Sequence, residues 1–135
     1  MMLKWDTCYE IGHERIDAEH RIFLGLIVDF EALVNQGAAK DKLIRTLKEI
    51  CKYAEFHFFS EQNVMIDCHY PEYVSHTSLH QQLLAAADDQ LFRLTAGQVQ
   101  ASEVFEFLFE WFALHTSTED KKLVAYTRAS PDPAR

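Results

Sequence analysis

The chain has 135 residues, 48% of them hydrophobic, with 13 Lys and Arg against 21 Asp and Glu for a net charge of −8. That is one domain with enough apolar material for a core, which excludes disorder. The acidic balance argues against nucleic acid and against an anionic membrane surface; no apolar run approaches the roughly 20 residues of a bilayer span, and no signal peptide is visible at the N-terminus.

Residues 1–16 read as an irregular arm carrying Trp5, Tyr9 and Gly12. Asp17 is placed to cap a first helix. Ile22, Phe23, Leu26, Ile27, Phe30, Leu33 and Val34 repeat with helical period behind it, His20 extends that stripe backward, and Gly37 ends it. Asp41 is placed to cap a second helix. Its seam is Leu43, Leu47, Ile50, Ala54, His57, Glu61, Val64 and Cys68, in unbroken steps of four and three. Pro71 suits the first turn of a third helix, whose seam runs Tyr73, His76, His80, Leu83, Ala87, Leu91 and Leu94 before Gly97. A fourth helix starts near Ser102 with Val104, Leu108, Trp111 and His115 on one line. Val104 to Phe112 also alternates like a strand, but the helical spacing continues through His115 and no partner strand is evident. Four amphipathic helices with short connections predict an all-α, up-down-up-down four-helix bundle over residues 1–129, with 130–135 a tail or the start of a linker. Cys8, Cys51 and Cys68 lack CxxC spacing and read as core fillers or bystanders in a reduced, cytoplasmic setting.

Five of the seven histidines fall on seams that should be apolar: His20, His57, His76, His80 and His115. Glu61 shares a seam with them and Asp120 lies close by. His57 and Glu61 are four apart, as are His76 and His80, which puts each pair on one helical face. His115 and Asp120 are five apart, about 140° round an ideal helix, so that pair needs a local distortion. His13 and His69 fall in the arm and a loop and read as exposed. Trp111, Phe58 and Phe59 read as packing residues, and Phe107 falls off its helix's main stripe.

Taken singly, such residues are ordinary hydrogen-bonded core groups. Taken together they are not. A buried unpaired carboxylate costs several kcal/mol, each unpaired imidazole about 1–3 kcal/mol, and a domain has only about 5–15 kcal/mol in hand. Metal coordination turns that liability into binding energy. Five imidazoles and two carboxylates without thiolate suit first-row ions and are too many for one tetrahedral zinc. They match two ions near six-coordinate, with iron the obvious candidate. Because neutral imidazoles dominate, dioxygen would be taken up with two electrons and released unsplit. Acid below about pH 6.5 is expected to expel the metal, since protonated imidazole cannot ligate.

These residues resemble those of the bacterial haemerythrins. The resemblance runs from Trp5 to about Leu123. It rests on Ile16-Asp17-Ala18-Glu19-His20, on His57-Phe58-Phe59-Ser60-Glu61 with Met65 after it, on His76-Thr77-Ser78-Leu79-His80, and on Trp111 through His115 to Asp120-Lys121. It implies two iron ions (Fe2+/Fe3+) with an oxo or hydroxo bridge. His76, His80 and His115 would hold one, coordinatively full; His20 and His57 would hold the other, open to O2; Glu61 and Asp120 would bridge. The resemblance also implies that O2 binds end-on at the open iron and that the bridging hydroxide lends it a proton. Three departures stand out, one of them His13 in the arm. Gln62 replaces a usual second acid, and Thr116 follows His115 where a bulky aliphatic residue is common, which is expected to admit water and hasten autoxidation.

The expected function is reversible O2 binding, as carrier, store or sensor, by a non-enzyme that is monomeric as an isolated domain; the Pro-containing tail could lead to an output domain. The alternative is a di-iron oxidase or peroxidase clearing nitric oxide or peroxide. No acid on a seam backs the site for proton delivery; Glu119 and Asp88 are nearest and read as solvated. A bundle holding zinc or a single metal is a third reading.

Overall fold

The structure, a computed structural model, describes residues 10–129, and of Ser117 only the backbone. The expectations for Trp5, Cys8, Tyr9 and the 130–135 tail lie outside the described residues. Three helices, α1 (Glu14–Asn35), α2 (Lys40–Asp67) and α3 (Tyr73–Thr95), are joined by a fourth column. That column is α4 (Ala101–His115), a π-helical turn (Thr116–Asp120) and α5 (Lys121–Ala129). α1 packs on α2 and α4, and α3 packs on the same two, which closes an up-down-up-down ring. Val104–Phe112 lies within α4, and no strand occurs among the described residues.

The helix starts differ from the sequence expectation. α1 begins one turn earlier than Asp17: His13 is the cap, its Nδ1 accepting from the Ile16 N–H at 3.2 Å. Asp17 instead folds the incoming chain, its carboxylate accepting from the Ile11 and Gly12 N–H groups at 2.9 and 3.1 Å. An imidazole is a rare cap, and the commoner acid three residues on drew the assignment away. His13 is accordingly half-buried rather than exposed. α2 is capped by Ala39 with no side-chain bond, while Asp41 accepts from Arg45 at 3.1 Å. Pro71 lies in the turn before α3, whose cap is Glu72. α4 opens at Ala101 with a capping box between Gln100 and Glu103.

The helix ends are alike. After α1 and α3 the chain reverses through Gly37 (φ 67) and Gly97 (φ 75), with Ala38 N–H donating to Leu33 O and Gln98 N–H to Arg93 O. After α2 the same left-handed position is held by His69 (φ 55), and Tyr70 N–H donates to Met65 O. His69 is exposed, as expected.

The core falls into two clusters. The larger holds Phe23, Leu24, Ile27, Phe30, Leu47, Ile50, Ala54, Phe58, Leu94, Val104, Leu108, Trp111 and Phe112. The smaller holds Ile16, Met65, Cys68, Tyr70, Leu123 and Val124. In every column the predicted ligand residues separate the two. Cys51 and Cys68 are both buried, as core fillers should be, and Cys68 Sγ lies 3.7 Å from Met65 O. Phe58 is buried but Phe59 is 64% exposed, and Ile22, placed on the α1 stripe by periodicity, is 55% exposed. Both sit on stripe edges where α-helical spacing alone is ambiguous. Phe107 is half-buried, its ring centroid 6.4 Å from that of Trp111.

Candidate metal centre

His20 comes from α1, His57 and Glu61 from α2, His76 and His80 from α3, His115 from the end of α4, and Asp120 from the end of the π turn. All seven are buried, with exposure between 0% and 6%. The α2 and α3 pairs meet because four residues make about one turn. The last pair meets because of the distortion that its spacing requires. The π turn winds one extra residue into the helix, and Asp120 comes to 2.9 Å from Nε2 of His115.

The two carboxylates stand between two sets of imidazoles, and each offers one oxygen to each set. Oε2 of Glu61 lies 2.9 Å from Nε2 of His57 and 3.7 Å from that of His20. Its Oε1 lies 3.1, 3.0 and 3.9 Å from Nε2 of His76, His80 and His115. Asp120 Oδ2 lies 2.9 Å from Nε2 of His20, and its Oδ1 faces His115 at 2.9 Å and His76 at 3.4 Å. The donor atoms of Glu61, His76, His80, His115 and Asp120 all lie within 4.8 Å of one another, as do those of His20, His57, Glu61 and Asp120.

Several of these atoms approach at hydrogen-bond distance without hydrogen-bond direction. Nε2 of His20, His57 and His115, Oε2 of Glu61 and both oxygens of Asp120 are buried without a hydrogen-bond partner among the described residues. Lone pairs that converge on a common point instead of on one another are what a cation needs, and such a set is costly in a core without one. The residues therefore fit a pair of first-row ions.

Electrostatics agree. Burial alone would push the His57 imidazole down, but Glu61 and Glu19 beside it hold it up at about 9. His76 is likewise raised against its burial to about 9 by Asp120 and Glu61, and His115 to about 10 by Asp120. His20 is raised by Asp120 and Glu61 despite burial. Burial would lift Glu61, yet the imidazoles around it, His57 foremost, hold it well below the carboxylate range. Asp120 is lowered too, by His115 and His20, against burial and the charge of Glu61. Of the five central imidazoles only His80 moves down: burial and its cationic neighbours outweigh its contact with Glu61. Its ring stacks on Phe58 at 4.1 Å.

A small cavity adjoins the two-imidazole side. It offers about 10 Å³ to the centre of a water-sized molecule and is lined by His20, Phe23, His57, Phe58, Trp111, Phe112, His115 and Thr116. That is near the minimum that admits one small molecule. Among the described residues no carboxylate lines it. Trp111 is core, as expected, with its indole N–H donating to Leu83 O at 3.2 Å.

One acid escaped the sequence reading. Glu19 is buried against α2 and contacts His57 at 2.8 Å, whereas Glu119 is half-buried beside Lys122 and Asp88 is exposed. Glu19 lies off the apolar stripe and four residues from Arg15, so its spacing signals an ordinary surface ion pair.

Fold and site together define a four-helix metal-binding domain. The family described as "Hemerythrin HHE cation binding domain" matches residues 11–127, and the chain belongs to it. It is 25% identical over 128 residues to the bacteriohemerythrin of Clostridium acetobutylicum, covering 91% of this chain and 99% of that one. It is 24% identical to the bacteriohemerythrin of Stenotrophomonas maltophilia (95% and 83% covered) and 23% identical to a hemerythrin-like protein of Naegleria gruberi (87% of each). A crystal structure of wild-type hemerythrin superposes with a TM-score of 0.81 at 18% identity, over 90% of this chain and 95% of that one. Among the described residues no helix is long and apolar enough to cross a membrane.

Proposed function

We propose that the chain binds O2 reversibly at a pair of iron ions, and the observation that carries the reading is the lopsided donor set. Three imidazoles face one end of the shared carboxylates and two face the other, and the cavity is lined by both imidazoles of the poorer side and by only His115 of the richer one. His76, His80 and His115 would hold one ion, His20 and His57 the other, and Glu61 and Asp120 both. A bound pair of irons would supply the two electrons that reversible O2 uptake needs. The chain's own part is to position, shield and limit. Glu61 and Asp120, each facing both sets of imidazoles, would set the spacing of the two ions. Phe23, Phe58, Trp111 and Phe112 keep the cavity apolar and small. Among the described residues no carboxylate lines the cavity to deliver a proton for O–O cleavage, which supports carriage, storage or sensing over oxidase or peroxidase turnover.

The test is anaerobic reduction followed by air, watched by visible absorption with iron counted. About two irons per chain and a colour that appears with oxygen and fades on degassing are expected. Irreversible bleaching, or one zinc in place of iron, sinks the reading.

Thr116 is buried at the cavity wall, 2% exposed. Its hydroxyl gives water a partner where a purely apolar wall would not. Thr116→Val removes that partner at equal size and is expected to lengthen the half-life of the oxygen-induced colour several-fold; Thr116→Ile, which also fills space, more so. A Thr116→Val half-life no longer than wild type contradicts this.

The π turn carries a second prediction. Deleting exposed Thr118 leaves His115 and the aspartate four apart, the α-helical spacing for a shared face. Metal content should stay near wild type, while Asp120→Ala lowers it. Equal losses in the two variants would show that the wound-in residue is itself required.

A further inference from the structure

Glu19 stands one residue before His20 and turns away from the centre, into the contact between α1 and α2. Its carboxylate is held from both helices. Ser60 Oγ donates to Oε2 at 2.8 Å, Arg15 Nε donates to the same oxygen at 3.1 Å, and the Tyr53 hydroxyl donates to the Glu19 carbonyl at 3.3 Å. Oε1 is thereby left for Nδ1 of His57, at 2.8 Å. The other nitrogen of that ring, Nε2, is the one that faces Glu61. An imidazole that offers its Nε2 lone pair carries its proton on Nδ1, and here that proton is donated to Glu19.

Three of the other rings lack this support. Nδ1 of His20, His80 and His115 is buried without a hydrogen-bond partner among the described residues. The backed ring belongs to the side that has two imidazoles instead of three.

We infer that Glu19 is a positioning residue: it fixes the tautomer and ring plane of His57 and strengthens Nε2 as a donor, so that the two-imidazole half of the centre holds its metal as firmly as the three-imidazole half. The inference rests on the two-metal reading above. A carboxylate accepting from Nδ1–H raises the basicity of the opposite nitrogen and removes the ring's rotational freedom. With only His20 as a second imidazole, the site loses a larger share of its grip if His57 swings or adopts the wrong tautomer. Ser60 and Arg15 act one step further out by fixing the carboxylate itself.

The experiment titrates Co(II) into the metal-free chain against a competing chelator, for wild type, Glu19→Ala, Glu19→Gln and Ser60→Ala. Wild type is expected to take two Co(II). Glu19→Ala should weaken one of them by about 10–100-fold and leave the other within about threefold; Glu19→Gln, which keeps the volume and an acceptor oxygen, should lose less. Ser60→Ala, which does not touch the imidazole, should shift the same equivalent by a smaller factor and covers the case in which Glu19 variants fail to fold. In the Zn(II)-loaded, 15N-labelled chain, a strongly downfield His57 Nδ1 proton should be present in wild type, move upfield in Glu19→Gln and vanish in Glu19→Ala. Wild type taking two Co(II) while the variants weaken both or neither overturns the inference alone. Wild type taking only one overturns the two-metal reading and the inference with it.

Discussion

Replacing Glu61 with alanine is expected to empty the centre and to destabilise the metal-free bundle as well. Glu61 is fully buried, and its two oxygens lie within 4.0 Å of Nε2 of all five central histidines. Among the described residues no other side chain faces both halves so completely: Asp120 reaches His20, His76 and His115. Without Glu61, neither His57 nor His80 retains a carboxylate on its Nε2. Removing one partner from a buried ionic set costs about 3–5 kcal/mol, because the other charges stay buried without it. Iron per chain should fall from about two to below one, and the metal-free variant should melt well below metal-free wild type. Glu61→Gln separates the effects: it keeps the volume but bridges two cations poorly, so it should lose metal with a smaller loss of melting temperature. Metal analysis and thermal unfolding followed by circular dichroism decide it. Two irons in Glu61→Ala would remove Glu61 from the centre.

The second large effect is on pH, and its sign differs between the metal-free and loaded protein. In the metal-free chain His57 and His76 are held at about 9 and His115 at about 10, above the ordinary 6.5. Groups raised on folding stabilise fully below their unfolded value and lose that contribution as pH rises through the folded one. Glu61 and Asp120 are depressed from 4.5 and 3.8, so their contribution is present above those values and is lost as pH falls toward the folded ones. The metal-free bundle should therefore be most stable between about pH 4.5 and 6.5 and should weaken progressively up to about pH 10. The loaded bundle should do the reverse over the alkaline range, since metal must displace those protons. Loading should release protons into neutral buffer, and apparent affinity should fall by roughly tenfold per pH unit for each proton displaced. As pH falls, competition then begins near pH 10, where His115 takes up its proton, not at the 6.5 that isolated imidazoles imply. Melting curves of both forms from pH 5 to 10, with proton release measured in buffers of differing ionisation enthalpy, test this. A metal-free melting temperature that rises toward pH 10 would contradict it.

The seven central residues were readable because the seams of α2 and α3 keep their three-four rhythm while changing from aliphatic to ligand-type side chains. Periodicity fixed which face His57, Glu61, His76 and His80 share, and those residues share it. The His115–Asp120 spacing even announced its distortion, although only the structure shows it as a π turn. What escaped lies where spacing carries no signal. Glu19 and Ser60 meet across two helices, a contact between residues 41 apart in the chain. Caps escaped for another reason. Asp17 and Asp41 are good capping residues by chemistry, but His13 and Ala39 sit where the chain turns. Ile22 and Phe59 show the same limit at stripe edges, where one helical position of about 100° decides between core and solvent.

The ligand layer cuts the apolar interior into a large block and a small one, and that division bears on how the molecule comes apart. The small block, built from Ile16, Met65, Tyr70, Leu123 and Val124, is tied to the rest across a layer of charge. Chelation should therefore loosen the bundle from one end. Backbone amides of α5 and of the α2–α3 turn should begin exchanging with solvent deuterium first, while those around Phe30, Leu47 and Leu108 stay protected until the whole chain unfolds.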